Sequence, residues 1–144
     1  ELLALQISSD AILNNPSIEP YLNSLKSLGV SLILDDFGSG DTSLSAIKKL
    51  PLDYLKIDSD FVIEILNENE NPALLWAIIG IGNAMGYSVI ADGVENLHHV
   101  KTLEVYGCEL FQGGFFGAPL NAIDVPGLVY KNSLFENYVD SKPI

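Results

Sequence analysis

The chain has 144 residues, 48% of them apolar and 18% charged, which suits one domain, or part of one, and argues against long disordered tracts. Seven Lys and Arg against nineteen Asp and Glu give a formal charge of −12. Such a surface has no general attraction for DNA or RNA, and a phosphate-bearing ligand would need metal ions or helix N-termini to supply a positive field.

The single cysteine, Cys108, rules out an internal disulfide framework and fits a reducing, cytoplasmic setting. Its apolar neighbours in YGCELF make it a buried small hydrophobe. No apolar run reaches the roughly 18 residues that span a bilayer, and ELLALQISSD lacks the basic start of a secretory signal. The chain does not begin with Met. It reads as a piece of a longer protein whose other segments could include a membrane anchor.

The apolar run Leu2 to Ile7 predicts a first strand. Ile18, Tyr21, Leu22, Leu25 and Leu28 then recur at helical spacing, with Pro16 near the start and Gly29 as the stop. Val30 to Leu34 is an almost unbroken apolar run, as expected of a parallel strand covered on both faces. Ser43 to Leu50 reads as a short helix, Tyr54 to Ile57 as a strand and Phe61 to Leu66 as a helix. The polar stretch NENENP separates these from a strongly apolar helix, Ala73 to Met85. Tyr87 to Ala91 (strand), Leu97 to Tyr106 (helix), Leu110 to Gly113 (strand) and Ile123 to Tyr130 (helix) complete a unit of residues 1–130. Residues 131–144 form a polar tail.

Five strand–helix units with short connections predict parallel α/β architecture. Asp35, Asp36, Asp58, Asp92 and Gln112 all fall at C-terminal strand ends, the face that carries the chemistry of a (β/α)8 barrel. A closed barrel needs eight strands and typically about 250 residues. Five units therefore imply an open sheet or a barrel without its first part.

Four motifs stand at these strand ends. In DDFGSG, Asp35 and Asp36 can serve hard divalent cations, and Phe37, Gly38, Ser39 and Gly40 form a loop able to approach a ligand closely. The same letters also fit a helix cap followed by a glycine turn. In LPLDYLKID, Lys56 lies inside an apolar strand, where burial requires a carboxylate partner; an exposed edge strand is the alternative. In IADGVEN, Asp92 and Glu95 flank a glycine turn as a metal ligand or base and a loop anchor, or simply as acids favouring a helix N-terminus. In FQGGFFGAPL, Gln112 ends the last strand, and Phe115 and Phe116 either stack on a base or pack in the core. His98 and His99 read as solvated helix residues. No P-loop, GxGxxG or nucleophilic triad order is present.

The order LGVSLILDDFGSGDTSLSAIKKLPLDYLKID, IADGVEN, GCELFQGGFFGAPL resembles the second half of the EAL domain family, over about residues 2–130. The resemblance implies a partial (β/α)8 TIM-like barrel, cyclic di-GMP as ligand, and two-metal hydrolysis with Mg2+ or Mn2+. It implies that Asp35 bridges both metals and Asp36 holds the second. Lys56 stands beside the attacking water, Glu95 braces the DDFG loop, and Gln112 lies near the water. The loop from Phe37 to Ser43 resembles the segment that couples dimerisation to the site. It also implies association, as a homodimer or with a missing N-terminal half.

The sequence departs from the family pattern in ways that bear on catalysis. The EAL tripeptide and the following metal-binding asparagine do not occur. Gln6 stands where a metal-ligand glutamate is expected, and Ser9 replaces a loop-holding glutamate. Asp92 replaces a longer glutamate, and Asp41 an aromatic residue. Drawing a carboxylate back by over about 1 Å can cost about 10²-fold at a catalytic centre. The chain is thus expected to be a degenerate module, binding nucleotide or regulating a partner and inactive as it stands. The alternatives are an active metal-dependent phosphodiesterase and a protein–protein regulator without nucleotide.

Overall fold

The computed structural model describes residues 3–38, 43–67 and 72–127. Five strands, β1 (Ala4–Ser8), β2 (Ser31–Phe37), β3 (Tyr54–Ile57), β4 (Ser88–Ala91) and β5 (Leu110–Phe111), form one parallel sheet in sequence order. Helices α1 (Ser9–Leu13), α2 (Glu19–Ser27), α3 (Leu44–Ile47), α4 (Ser59–Asn67), α5 (Ala73–Ala84) and α6 (Leu97–Val105) connect them. This βα order is that of a partial TIM-like barrel, as the sequence predicts.

The register divides the sheet into two faces, because side chains alternate along each strand. Leu32, Leu34, Leu55, Ile57, Val89 and Ala91 share one face and are at most 4% exposed. They join Leu22, Ile47, Val62, Leu75, Ile79 and Leu103 of the helices in a single core. The other face carries Gln6 beside Ile33 in one row and, in the next, Asp35 with Lys56 beside Ile90. The apolar run of β2 reflects burial on the helix side together with packing of Ile33 on the opposite side.

Several boundaries differ from the sequence expectation for local reasons. α1 is a short helix that periodicity does not reveal; the Ser8 hydroxyl oxygen accepts from the Ala11 N–H and caps it. Pro20, not Pro16, occupies the first turn of α2. α4 begins at Ser59 because Asp58 Oδ1 accepts the Phe61 N–H at 3.1 Å. β5 stops at Phe111 because the Gln112 carbonyl leaves the ladder to accept from Val94 N–H. α5 packs through Leu75, Ile79 and Gly82. A Cβ on Gly82 would come within 2.5 Å of Val89 Cγ2, so glycine sets the spacing of α5 against β4. Turns over 122–124 lead into helical backbone at 125–127. The rest of the expected last helix, and the tail, lie outside the described residues.

At the N-terminal end of the strands, Lys26 Nζ meets both oxygens of Asp53, at 2.6 and 2.7 Å. Asp53 Oδ2 also accepts the Leu32 N–H at 2.8 Å. One carboxylate thereby joins α2, β2 and the entry to β3, far from the strand ends that carry the motifs. Among the described residues no helix is long and apolar enough to cross a membrane.

Candidate functional site

The site begins with an irregularity in β2. Leu34 pairs with Leu55 and Phe37 with Ile57, so Asp35 and Asp36 together oppose Lys56. This is a β-bulge, one extra residue in one strand, which re-aims side chains at a sheet rim. Asp36 absorbs it with a left-handed backbone, φ 58°, a region that Asp tolerates better than most residues. The bulge returns Phe37 to the helix face, where it is buried in the core. It leaves Asp35 on the open face and Asp36 exposed at the rim. Phe37 therefore anchors the entry to the glycine loop from below. Gly38 follows with φ 105°; Ser39 and Gly40 lie outside the described residues.

Lys56 is 6% exposed, which settles the choice between paired and edge lysine. Its Nζ lies 3.2 Å from Asp35 Oδ1 and 2.7 Å from Asp92 Oδ2. Burial, the largest single influence, opposes its charge. The hydrogen bond and charge of Asp92, with the charge of Asp35, outweigh it and hold the ammonium pKa above 10.5. One cation thus bridges two carboxylates, leaving the trio with one net negative charge. Asp36 adds another. Its pKa is raised, first by burial and then by the charges of Asp35 and Asp58.

Both oxygens of Asp92 and one of Asp35 are already engaged. Asp35 Oδ1 also accepts the Asp36 N–H at 3.0 Å, and Ser9 Oγ donates to the Asp35 carbonyl at 3.0 Å. Ser9 holds the end of β2 through this bond, at the position where the family resemblance places a loop-holding glutamate. Asp92 Oδ1 accepts the Gly93 N–H at 2.7 Å while Oδ2 meets Lys56. Gly93 has φ 76°, and a Cβ there would lie 2.9 Å from the Ser59 carbonyl oxygen. A non-glycine residue would strain the turn that presents Asp92.

Gln6 is exposed on β1, opposite Ile33 and so one layer below Asp35 on the same face. Gln112 contributes through its backbone: its N–H donates to the Ala91 carbonyl, and its carbonyl accepts from Val94 N–H at 2.9 Å. A Cβ on Gly113 would collide with the Val94 backbone, so this approach requires glycine. The side chains of Gln112 and Glu95 are exposed. Phe116 stacks on Phe111, with centroids 6.2 Å apart, and meets Phe115 edge-on. Phe116 packs against the core, whereas Phe115 is 38% exposed. Phe111, Phe116 and Leu120 line a groove of about 510 Å3 beside Gln112.

One expectation is overturned. His98 is exposed, but His99 is 1% exposed and belongs to the buried interior. Its ring turns back onto the preceding Asp92–Asn96 turn, a local contact that the pair of adjacent histidines does not reveal. Cys108 is buried as expected, and burial raises its thiol pKa to about 11.

Among the described residues no three His, Cys, Asp or Glu side chains converge to hold a metal ion. Asp35 and Asp36 are suitable oxygen donors, but Lys56 occupies the position between Asp35 and Asp92. These residues do not form a complete metal centre by themselves.

Residues 1–119 match the EAL domain family. The chain belongs to that family. This EAL chain is 39% identical over 119 residues to the cyclic di-GMP phosphodiesterase NbdA of Pseudomonas aeruginosa, covering 82% of its own length and 15% of NbdA. It superposes on the EAL domain of Mycobacterium smegmatis DcpA with a TM-score of 0.80 at 32% identity, covering 89% of the chain and 58% of that structure. The MucR phosphodiesterase in complex with c-di-GMP gives 0.77 at 32% identity, covering 85% and 50%. The chain thus spans 58% and 50% of these two solved structures and a small part of NbdA.

Proposed function

We propose that this EAL chain contributes to a cyclic di-GMP signalling module that holds the dinucleotide, or a protein partner, without efficient hydrolysis. The supporting observation is the Asp35–Lys56–Asp92 cluster. Asp92 spends one oxygen on Lys56 and the other on the Gly93 N–H. Gln6 adds no charge where the family resemblance places a glutamate. The family's two Mg2+ or Mn2+ ions would find Asp35 and Asp36 as donors and would lack the rest of their ligands within the described residues. Asp36, Lys56, Asp92, Glu95 and Gln112 remain as a polar rim around the open face, with Phe115 beside it for a base to stack on.

A second reading, active phosphodiesterase, rests on the intact DDFG segment and on the exposed Asp36 at the bulge. A third, a regulator that no longer meets nucleotide, rests on the engagement of Lys56 by Asp35 and Asp92 alone. Titration calorimetry with cyclic di-GMP, followed by chromatography of the mixture with Mg2+ or Mn2+, separates the three. Binding without linear dinucleotide supports the proposal. Metal-dependent turnover at an ordinary enzyme rate of about 1 s⁻¹ or more supports the second, and absence of binding the third.

A further inference from the structure

Four polar or charged side chains are buried among the described residues: Ser9, Ser31, Lys56 and His99. Ser9 and Lys56 serve the strand-end cluster directly, and Ser31 lies at the opposite end of β2. His99 is the most enclosed of the four, on the first turn of α6, and three of its groups are tied to the turn that presents Asp92. Its backbone N–H donates to Asn96 Oδ1 at 3.0 Å, the N-cap bond of the helix. Its Nδ1 accepts the Glu95 N–H at 3.4 Å. The imidazole is also hydrogen-bonded to the Gly93 backbone. Gly93 follows Asp92, whose side chain grips Lys56.

Only a neutral imidazole can accept through Nδ1; in the cation both ring nitrogens donate. Protonation would set two N–H donors against each other and remove the acceptor of the Glu95 N–H, at a partly buried place between the enclosed ring and the exposed Glu95. We propose that His99 is a positioning residue for the Asp92–Glu95 turn, and that its protonation releases the turn and weakens the hold of the Asp35–Lys56–Asp92 cluster on its ligand. The charged groups that bear on the ring are Glu95 of the turn, which favours the cation, and His98 of its own helix, which opposes it. Burial opposes it most, and the titration falls below the usual 6.5. The turn is therefore closed at neutral pH and opens as pH falls.

The ligand part of this inference rests on the nucleotide-binding reading above; the turn itself does not. Nitrogen shifts of His99 and amide exchange at residues 93–95 are to be followed by NMR on the full chain from about pH 8 down to about pH 5. The Glu95 amide should lose protection about tenfold or more as His99 titrates. His99→Gln, which can accept and donate without titrating, should keep the protection and remove the pH step. His99→Leu should lose protection at every pH. A Glu95 amide indifferent to His99 titration overturns the proposal, as does a His99→Gln chain with an unchanged pH step. Cyclic di-GMP affinity over the same range should fall with the amide in the parent chain and stay level in His99→Gln. An affinity that ignores pH while the amide responds overturns the coupling to the cluster. No binding at any pH with an intact amide step removes the nucleotide reading and upholds the clamp.

Discussion

The Nζ of Lys56 lies 2.7 Å from Asp92 Oδ2, and this pair, extended to Asp35 at 3.2 Å, sits where the sheet opens toward its rim. The lysine is nearly buried, whereas both carboxylates keep about a fifth of their side-chain surface. The ammonium thus acts as an internal counter-ion for acids that would otherwise repel each other.

Lys56→Met should be destabilising at neutral pH. Removing one partner of a buried ion pair leaves uncompensated charge, typically at a cost of 3–5 kcal/mol; partial exposure of Asp35 and Asp92 reduces this to about 2 kcal/mol. Acidification should recover part of the loss, because a protonated carboxyl no longer needs the cation. In the parent protein the sign is opposite. The pKa of Lys56 is raised, so its contribution is complete below 10.5 and is lost as pH climbs through the higher folded value. Urea denaturation of both proteins at acidic, neutral and strongly alkaline pH tests these slopes.

Asp36 combines a left-handed backbone with a raised pKa. Asp36→Asn keeps the tolerance for that backbone and removes the charge, so the urea midpoint at neutral pH should rise. The gain should shrink as pH falls through the raised Asp36 value, where the parent carboxyl is itself neutral. Asp36→Val should cost about 1–2 kcal/mol, since a β-branched residue meets the full steric penalty of that conformation. Equal midpoints for the Asn and Val variants would contradict the bulge geometry.

Asp53 is remote from the rim and should behave as a stability residue alone. Asp53→Ala removes the partner of Lys26 and the acceptor of the Leu32 N–H, at an expected cost of about 1–3 kcal/mol. Asp53→Asn can keep the acceptor and should cost less. Neither change should alter nucleotide affinity in calorimetry after correction for the folded fraction.

The legible part of the fold was the part with strong periodicity or punctuation. Val30 to Leu34 reads as a strand because four of its five side chains are apolar, with only Ser31 between them, and Gly29 ends α2 with φ 81°. The DDFG, LKID and ADGVE strand ends were visible as polar breaks, and Lys56 demanded a partner simply by lying among apolar residues. The bulge was not visible: one extra residue between Leu34 and Phe37 has no signature in letters that also fit a cap. The bond of Ser9 was not visible because it reaches the Asp35 carbonyl, 26 residues away and brought near only by the fold. His99 was misread for a different reason: its contact with the Glu95 N–H is local, but the letters do not say that the first turn of α6 faces its ring inward.

The sheet edges lead to the last prediction. Among the described residues β1 pairs with β2 and β5 with β4 in parallel, and neither has a partner on its other side. β1 carries Leu5 and Ile7 half-buried beside the exposed Leu3, and β5 exposes Leu110. Unpaired ladder groups next to apolar side chains make an edge adhesive. Burying such surface yields about 25 cal/mol per Å2, and the two edges and the open face together offer apolar area to set against the roughly 4–15 kcal/mol that association costs. The open face between the edges, with Ile33 and Ile90, adds to the same drive. The 144-residue chain by itself should therefore scatter light as a dimer or larger species at micromolar concentration, or bind a hydrophobic dye strongly. Lysine substitutions at Leu3 and Leu110 should reduce both signals without unfolding the helix-side core, because neither side chain lies in it. A parent chain that remains monomeric, unfolds cooperatively and binds little dye would show that the exposed edges are tolerated and that five βα units suffice for a closed, self-sufficient surface.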